Sequence, residues 1–304
     1  MAITDATPTG ETATATAPPK KDPQKLIADA VNAISHIATL PEITLKIIEL
    51  VDNPRSTAQD LNKLISNDPA LVSRILKVVN SAFYGLPGQI GSINRAIVLL
   101  GLNAVKNIVI AASLTKLFRG GRVSPHFSAK DLWTHSIGVG VFSKMIVCKL
   151  NNALPDEAFL AGLIHDMGIL VELQAFREPL VEIAERASRE AVRYVDLETQ
   201  IIGVDHQALG AGLTMKWKFQ RSFQYVTGHH HDPMGLAQDC RWLTMVIHVA
   251  DHICAREGLG YALTCKEEAL DPAVLEELSL PLETLNEMAK TLPEAMKETE
   301  AMLT

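Results

Sequence analysis

The stretch Phe159-Leu-Ala-Gly-Leu-Ile-His-Asp-Met-Gly168 places an imidazole and a carboxylate, His165 and Asp166, directly after an unbroken apolar run. Such a run reads as a buried helix, with Gly168 just beyond it as a natural C-terminal stop. Two adjacent polar side chains at the end of a buried helix need partners, because leaving one unsatisfied costs about 1–3 kcal/mol. A metal ion with further ligands is one such partner.

Working outward, the chain offers those further ligands. Eight of its ten histidines lie between positions 135 and 252. The candidates are His135 in Trp-Thr-His-Ser, His206 in Gly-Val-Asp-His, the run His229-His230-His231, and Asp251 in His-Val-Ala-Asp-His. Imidazole with carboxylate suits iron, manganese, zinc or nickel better than calcium or magnesium, iron and manganese being the first expectation. So many groups admit one or two ions, and a two-metal centre lowers the pKa of a bridging water and stabilises both oxygens of a phosphoester displacement. Asp166 would then bridge the metals or accept a proton, which makes it the candidate catalytic residue. His248 and His252 flank Asp251 as groups that orient a ligand or face solvent.

The rest of the chain is patterned as helix. Ile43, Ile47, Leu50 and Val51 share one stripe after Pro41, and Asn53-Pro54 ends it. Ser56 or Thr57 caps a short helix through Ile65, and Asp68-Pro69 starts the next, with Leu71, Ile75, Val78, Val79 and Ala82 as its buried face. Ser92 to Phe118 is largely buried and is broken or closely crossed at Gly101. A loop from Gly120 to Lys130 follows, then helices over 131–150, 156–167, 177–191, 194–216, 220–230 and 240–256. The stretch 271–304 is acidic, amphipathic and interrupted by Pro281 and Pro293. No strand is strongly signalled, and the fold class is all-α. Arg74, Lys77, Arg95 and Lys106 read as a solvated helix face, Met145 and Met167 as core filler, Asn80-Ser81 as a turn, and Glu198 as one half of an ion pair with His206.

Composition narrows the function. The 304 residues are 47% hydrophobic, 21% charged and only 5% aromatic, with a net charge of -7. That balance favours helix-on-helix packing, and it lacks the concentrated basic face of a nucleic-acid binder. Cys148, Cys240, Cys254 and Cys265 form no CxxC pair and are expected as free thiols in a reducing, cytoplasmic setting. Residues 1–22, rich in Ala, Thr and Pro, read as a disordered tail without the apolar core of a signal peptide. No uninterrupted apolar window long enough to cross a membrane is expected.

The order His135, His165-Asp166, Asp251 resembles the H…HD…D signature of HD-superfamily metal phosphohydrolases. The chain is similar, more closely, to the HDOD family, the HD-related output domains of bacterial signalling proteins. The likeness runs from about Leu40 to Ala255. It rests on Leu40-Pro41, Leu64-Ile-Ser-Asn-Asp-Pro-Ala-Leu71, Asn80-Ser-Ala-Phe-Tyr-Gly85, Ile93-Asn-Arg-Ala-Ile97 with Leu100-Gly101, Trp133-Thr-His-Ser136, Ala161-Gly-Leu-Ile-His-Asp-Met-Gly168, Glu198 with Gly203-Val-Asp-His206, and the triple histidine before Asp232-Pro233. The family expects two adjacent histidines, so either His229 with His230 or His230 with His231 fills that place.

The resemblance implies an N-terminal helical part over 23–120, an HD-like metal-binding part over 131–256 and a C-terminal helical extension over 257–304. It implies a signalling or regulatory role exercised through a protein partner, many family members having lost the metal residues. The alternative is a metal-dependent phosphohydrolase with a nucleotide or cyclic nucleotide as its phosphate ligand; a scaffold without metal is the third reading. Phosphodiesterases of the HD-GYP type carry a lysine after the HD-x-G unit, where this chain has Ile169, and a Gly-Tyr-Pro motif, for which Gly260-Tyr261-Ala262 is no match. Cyclic-di-GMP hydrolysis is accordingly not expected.

Overall fold

The computed structural model describes residues 22–34, 40–81, 83–118 and 121–303; the expected tail, from position 1 to 21, and Ala82 lie outside the described residues. Among the described residues, six helices form the first part: α1 (Pro23–Ala33), α2 (Glu42–Asp52), α3 (Ala58–Ser66), α4 (Pro69–Val79), α5 (Ile93–Leu100) and α6 (Leu102–Leu114). Their starts are chemically marked. Thr57 and Asp60 make a reciprocal capping box on α3, Asp68 accepts from the Leu71 N–H ahead of Pro69, and Ser92 accepts from the Arg95 N–H. Gly101, at φ +87°, separates α5 from α6.

Where a loop is expected after Gly120, a two-stranded hairpin stands instead: β1 (Arg122–Ser124) against β2 (Phe127–Ser128), antiparallel. It is too short to show a period in the sequence. Then come α7 (Ala129–Lys149), α8 (Pro155–Ile164), α9 (Met167–Ala175), α10 (Arg177–Arg189), α11 (Tyr194–Ile201), α12 (His206–Lys216), α13 (Arg221–His229), α14 (Trp242–Arg256), α15 (Pro272–Glu277), α16 (Leu282–Ala289) and α17 (Leu292–Leu303). The fold is all-α, apart from the hairpin.

Four expectations need correction. The span 194–216 is two helices, because Gly203 at φ +105° leaves the helical region and Asp205 caps a new start. Gly168 ends nothing: α9 begins at Met167, and a Cβ on Gly168 would lie 1.8 Å from the His206 carbonyl oxygen. Its missing side chain lets α9 meet the start of α12. Pro293 falls in the first turn of α17, where its absent N–H is not needed, and does not interrupt it. Lys106 is buried, and its ammonium pairs with Asp52 at 2.8 Å.

Two crossings bring distant segments to one place. At the α7–α8 crossing, a Cβ on Gly162 would fall 2.5 Å from the Gly140 nitrogen, so the backbones nearly touch. The run Pro155–Ala175 is long and apolar enough to cross a membrane, yet 83% of its most apolar window is buried inside the protein. Its two halves meet at His165-Asp166.

Candidate metal centre

Six elements deliver polar side chains to one buried space. His135 comes from α7, His165-Asp166 from the α8–α9 junction, His206 from the first position of α12, His230-His231 from the end of α13, and Asp251 from α14. The sixth is the segment 257–271 after α14, which supplies Leu259, Cys265 and Glu268. His135, His165, His206 and His230 are 0% exposed, Asp166 and Asp251 1%, and His231 7%.

Each imidazole has one nitrogen engaged at its back. The Nδ1 atoms of His135, His165 and His230 meet the carbonyls of Leu259 (3.0 Å), Gly162 (2.8 Å) and Val226 (3.0 Å). Those of His206 and His231 meet the carboxylates of Glu198 (2.8 Å) and Glu268 (2.7 Å). Because a carbonyl or carboxylate only accepts, every Nδ1 carries the proton and donates it. In the neutral ring each Nε2 is then left with a bare lone pair.

Those Nε2 atoms converge. His206 Nε2 lies 3.3 Å from His230 Nε2 and 3.1 Å from His231 Nε2. Facing lone pairs at such distances repel unless a proton or a cation lies between them. Asp166 reaches both sides: its Oδ1 is 3.3 Å from His206 and 3.4 Å from His230, and its Oδ2 is 3.3 Å from His165. Asp251 Oδ1 is 2.8 Å from His135 and 3.9 Å from His165. Both Asp166 oxygens and His165 Nε2 sit within ionic reach of these neighbours while making no hydrogen bond of acceptable geometry.

Two overlapping donor sets result, Asp166 with His206, His230 and His231, and Asp166 with His135 and His165, and a further group of His165, His230 and Asp251 spans them. In each, the donor atoms lie within 4.8 Å of one another, and the carboxylate of Asp166 is shared. Nitrogen and oxygen donors that are buried, convergent and orphaned can hold a metal ion. Of the sequence candidates, His229 is the one left out: it is exposed at the end of α13, so His230 and His231 form the inward pair.

The electrostatics match a cluster awaiting positive charge. Burial opposes a proton on His165, but the Asp166 carboxylate outweighs it and holds the pKa at about 9. For His206, burial is likewise overcome by Glu198, to about 10. Burial, with His231 beside it, pushes His230 down to about 3. Asp166 and Asp251 are carried well below the carboxylate range, against burial, by His165 and by His135 respectively. Protons on His165 and His206 thus offset part of the buried carboxylate charge, and a divalent ion bound at their Nε2 atoms would displace them.

Several further groups stand behind the donor atoms, of which Glu172, Cys265 and Glu268 carried no signal in the sequence. Glu198 does pair with His206, from a separate helix, and its second contact is the His206 N–H. His248 donates from Nδ1 to the His230 carbonyl at 2.7 Å, fixing the backbone of the histidine pair. Glu172, wholly buried on α9, is pushed well above the carboxyl range by burial and by Glu198 beside it. Glu268 and Cys265 lie beyond the last motif, on an irregular segment that no periodicity marks.

The sequence profile of the HDOD domain matches residues 37–233. An uncharacterized protein of Treponema pallidum (strain Nichols) is 29% identical over 210 residues, which are 68% of this chain and 40% of that protein. This chain therefore spans well under half the length of that curated relative. An HDOD domain protein of unknown function from Geobacter sulfurreducens has a similar structure, with a TM-score of 0.67 and 21% identity over 89% of this chain and 97% of that one. A protein from Shewanella amazonensis SB2B, provisionally named a phosphohydrolase, gives a TM-score of 0.71 and 21% identity over 92% of this chain and 98% of that one.

Proposed function

The chain belongs to the HDOD family, and on that premise we propose that it is a cytoplasmic signalling module that holds one or two transition-metal ions. The observation that carries this reading is the convergence of five imidazole Nε2 atoms on Asp166 and Asp251, with each Nδ1 already committed behind it. His135, His165, Asp166 and Asp251 would hold one ion, and His206, His230 and His231 with Asp166 a second. Bound there, the metal supplies Lewis acidity and fixes the geometry of six helical segments at once. The N-terminal helices over 23–120 would present the surface read by a protein partner, and the metal-binding part over 131–256 would set its shape.

Metal analysis of the purified full chain tests this. We expect at least one equivalent of iron or manganese, reduced in a His165→Ala, Asp166→Ala variant to below roughly a tenth of an equivalent. A metal-free native protein that takes up no ion on titration would sink the reading.

One feature favours the phosphohydrolase alternative: the shared Asp166 carboxylate is the arrangement that a two-metal clamp on a phosphate group needs. Against it stand the burial of every proposed ligand, 7% exposed at most, and Ile169 in place of a lysine. Assay against nucleotide and cyclic-dinucleotide phosphodiesters with added manganese separates the two. We expect no turnover, and metal-dependent turnover lost on changing His165 and Asp166 would replace the regulatory reading with the enzymatic one.

A further inference from the structure

The segment 257–271 lies across the cluster as a strap pinned at several points. The Leu259 carbonyl accepts from His135, the Tyr261 N–H donates to the Asp131 carbonyl at 3.0 Å, and the Tyr261 hydroxyl meets that of Tyr194 at 2.8 Å. Glu268 accepts from His231 and is held from the other side by Arg193 at 2.9 Å. Between these pins sits Cys265, 5% exposed. Its thiol donates to Asp251 Oδ2 at 2.9 Å, the oxygen not facing His135. It also forms, with His231 and Glu268, a further group whose donor atoms fall within 4.8 Å of one another.

Cys265 therefore touches both ends of the donor series. One neighbour, Asp251, belongs with His135 and His165; the other, His231, belongs with His206 and His230. Asp166 and the group of His165, His230 and Asp251 already join the two sets, and Cys265 adds a sulfur donor beside them on the strap side. A second feature marks the same spot. The Nδ1 of His252 lies 4.0 Å from Cys265 Sγ, and its Nε2 has no hydrogen-bond partner although the residue is only 8% exposed. His252, Cys265, Tyr261 and Glu268 line the wall of a cavity of about 820 Å³, which gives an ion a route to the strap side of the cluster.

We propose that Cys265 is a sulfur ligand of the metal centre, biasing it toward borderline-soft divalent ions such as zinc, cobalt or iron(II) over manganese and magnesium. This rests on the metal-binding reading above and refines it. On binding, the thiol proton now shared with Asp251 passes to solvent, and a sulfur–metal bond takes the place of the S–H bond.

Cobalt(II) titrated into the metal-depleted full chain tests the assignment by absorption spectroscopy. The expected result is a set of visible bands from the nitrogen and oxygen ligands together with an intense near-ultraviolet sulfur-to-cobalt charge-transfer band. In Cys265→Ser, which keeps a hydrogen-bond donor to Asp251, the charge-transfer band should vanish while the visible bands persist. Cys265→Ala should behave the same way, and Cys254→Ser, altering the other buried thiol near Asp251, should keep the band. Cobalt that binds with visible bands but no charge-transfer band in the unaltered chain overturns the sulfur ligand alone, as does a band that survives in Cys265→Ser or is lost in Cys254→Ser. Failure of the unaltered chain to bind cobalt at all overturns both this inference and the reading beneath it.

Discussion

The first six helices and the half that carries the histidine–aspartate cluster bury polar groups on different terms. Within α2–α6 most polar contacts close in pairs, Thr44 with Ser113 at 2.8 Å, the buried Lys106 with Asp52 at 2.8 Å, and Asn80 with both backbone groups of Ile90, while Arg74 Nε and Asn107 Oδ1 are isolated atoms without a hydrogen-bond partner. Around them the core is aliphatic, with Ile47, Leu61, Ile65 and Ile75 fully buried. In the second half, five imidazoles and two carboxylates crowd together, and three of their atoms lack any hydrogen bond. A pair that closes on itself needs no further partner; a set left open toward a shared point has room for one that the neighbouring side chains do not supply. The difference separates packing from site, and each half should fail in its own way.

The largest effect is expected where the two kinds of constraint coincide. An alanine at Gly168 would drive its Cβ to within 1.8 Å of the His206 carbonyl, a backbone atom that no rotamer change can move aside. Ordinary overpacking costs about 1–3 kcal/mol, and Gly168→Ala should exceed this, so that thermal unfolding finds little native protein and metal content falls with it. Normal stability for this variant would mean that α9 and α12 are not as close as described.

Next comes a change that should affect only the packing half. Ile75→Ala empties a fully buried site on α4 and should cost about 2–5 kcal/mol in denaturant unfolding. The metal content of the folded fraction should stay at the unaltered level. If metal were lost in proportion, the two halves would be one energetic unit and the contrast between them would dissolve.

Glu198→Gln acts on the other half. The amide keeps an acceptor for His206 but removes the charge behind it, which should weaken metal binding about 10–100-fold and, in the metal-free form, take away the partner that holds the His206 proton. Competition with a chromophoric chelator reads this directly.

The smallest effect is a pH dependence of stability. His165 and His206 have folded-state values of about 9 and about 10, raised from 6.5. Their contribution is complete below pH 6.5 and is lost as pH rises through those values. The metal-free protein should therefore melt a few degrees lower at pH 10 than at pH 6.5 in calorimetry. With metal bound in place of the Nε2 protons, this part of the decline should disappear.

What was legible in the sequence follows from the range of each interaction. The caps at Thr57, Asp68 and Ser92 bond to N–H groups three residues away, so short windows reveal them. The histidine and aspartate candidates were legible because residue type narrows metal chemistry, and all but His229 arrive in the cluster. Lys106 was misjudged because its partner, Asp52, is 54 positions distant. Gly168 was misjudged because a glycine after a helix and a glycine between helices look alike in one dimension. Glu268 and Cys265 were missed because the strap has no period and its contacts reach back 37 and 14 residues.

By itself, then, the sequence determined the helical class, most helix starts and the chemical character of the site, since these depend on local hydrogen bonds, periodicity and donor type. The tertiary structure alone decided which two of three adjacent histidines point inward, that Asp166 faces both donor sets, and that a segment beyond the last motif seals them with a carbonyl, a carboxylate and a thiol. Those outcomes depend on how close helices may approach, and the glycines at 140, 162 and 168 set that distance only once the chain has folded around them.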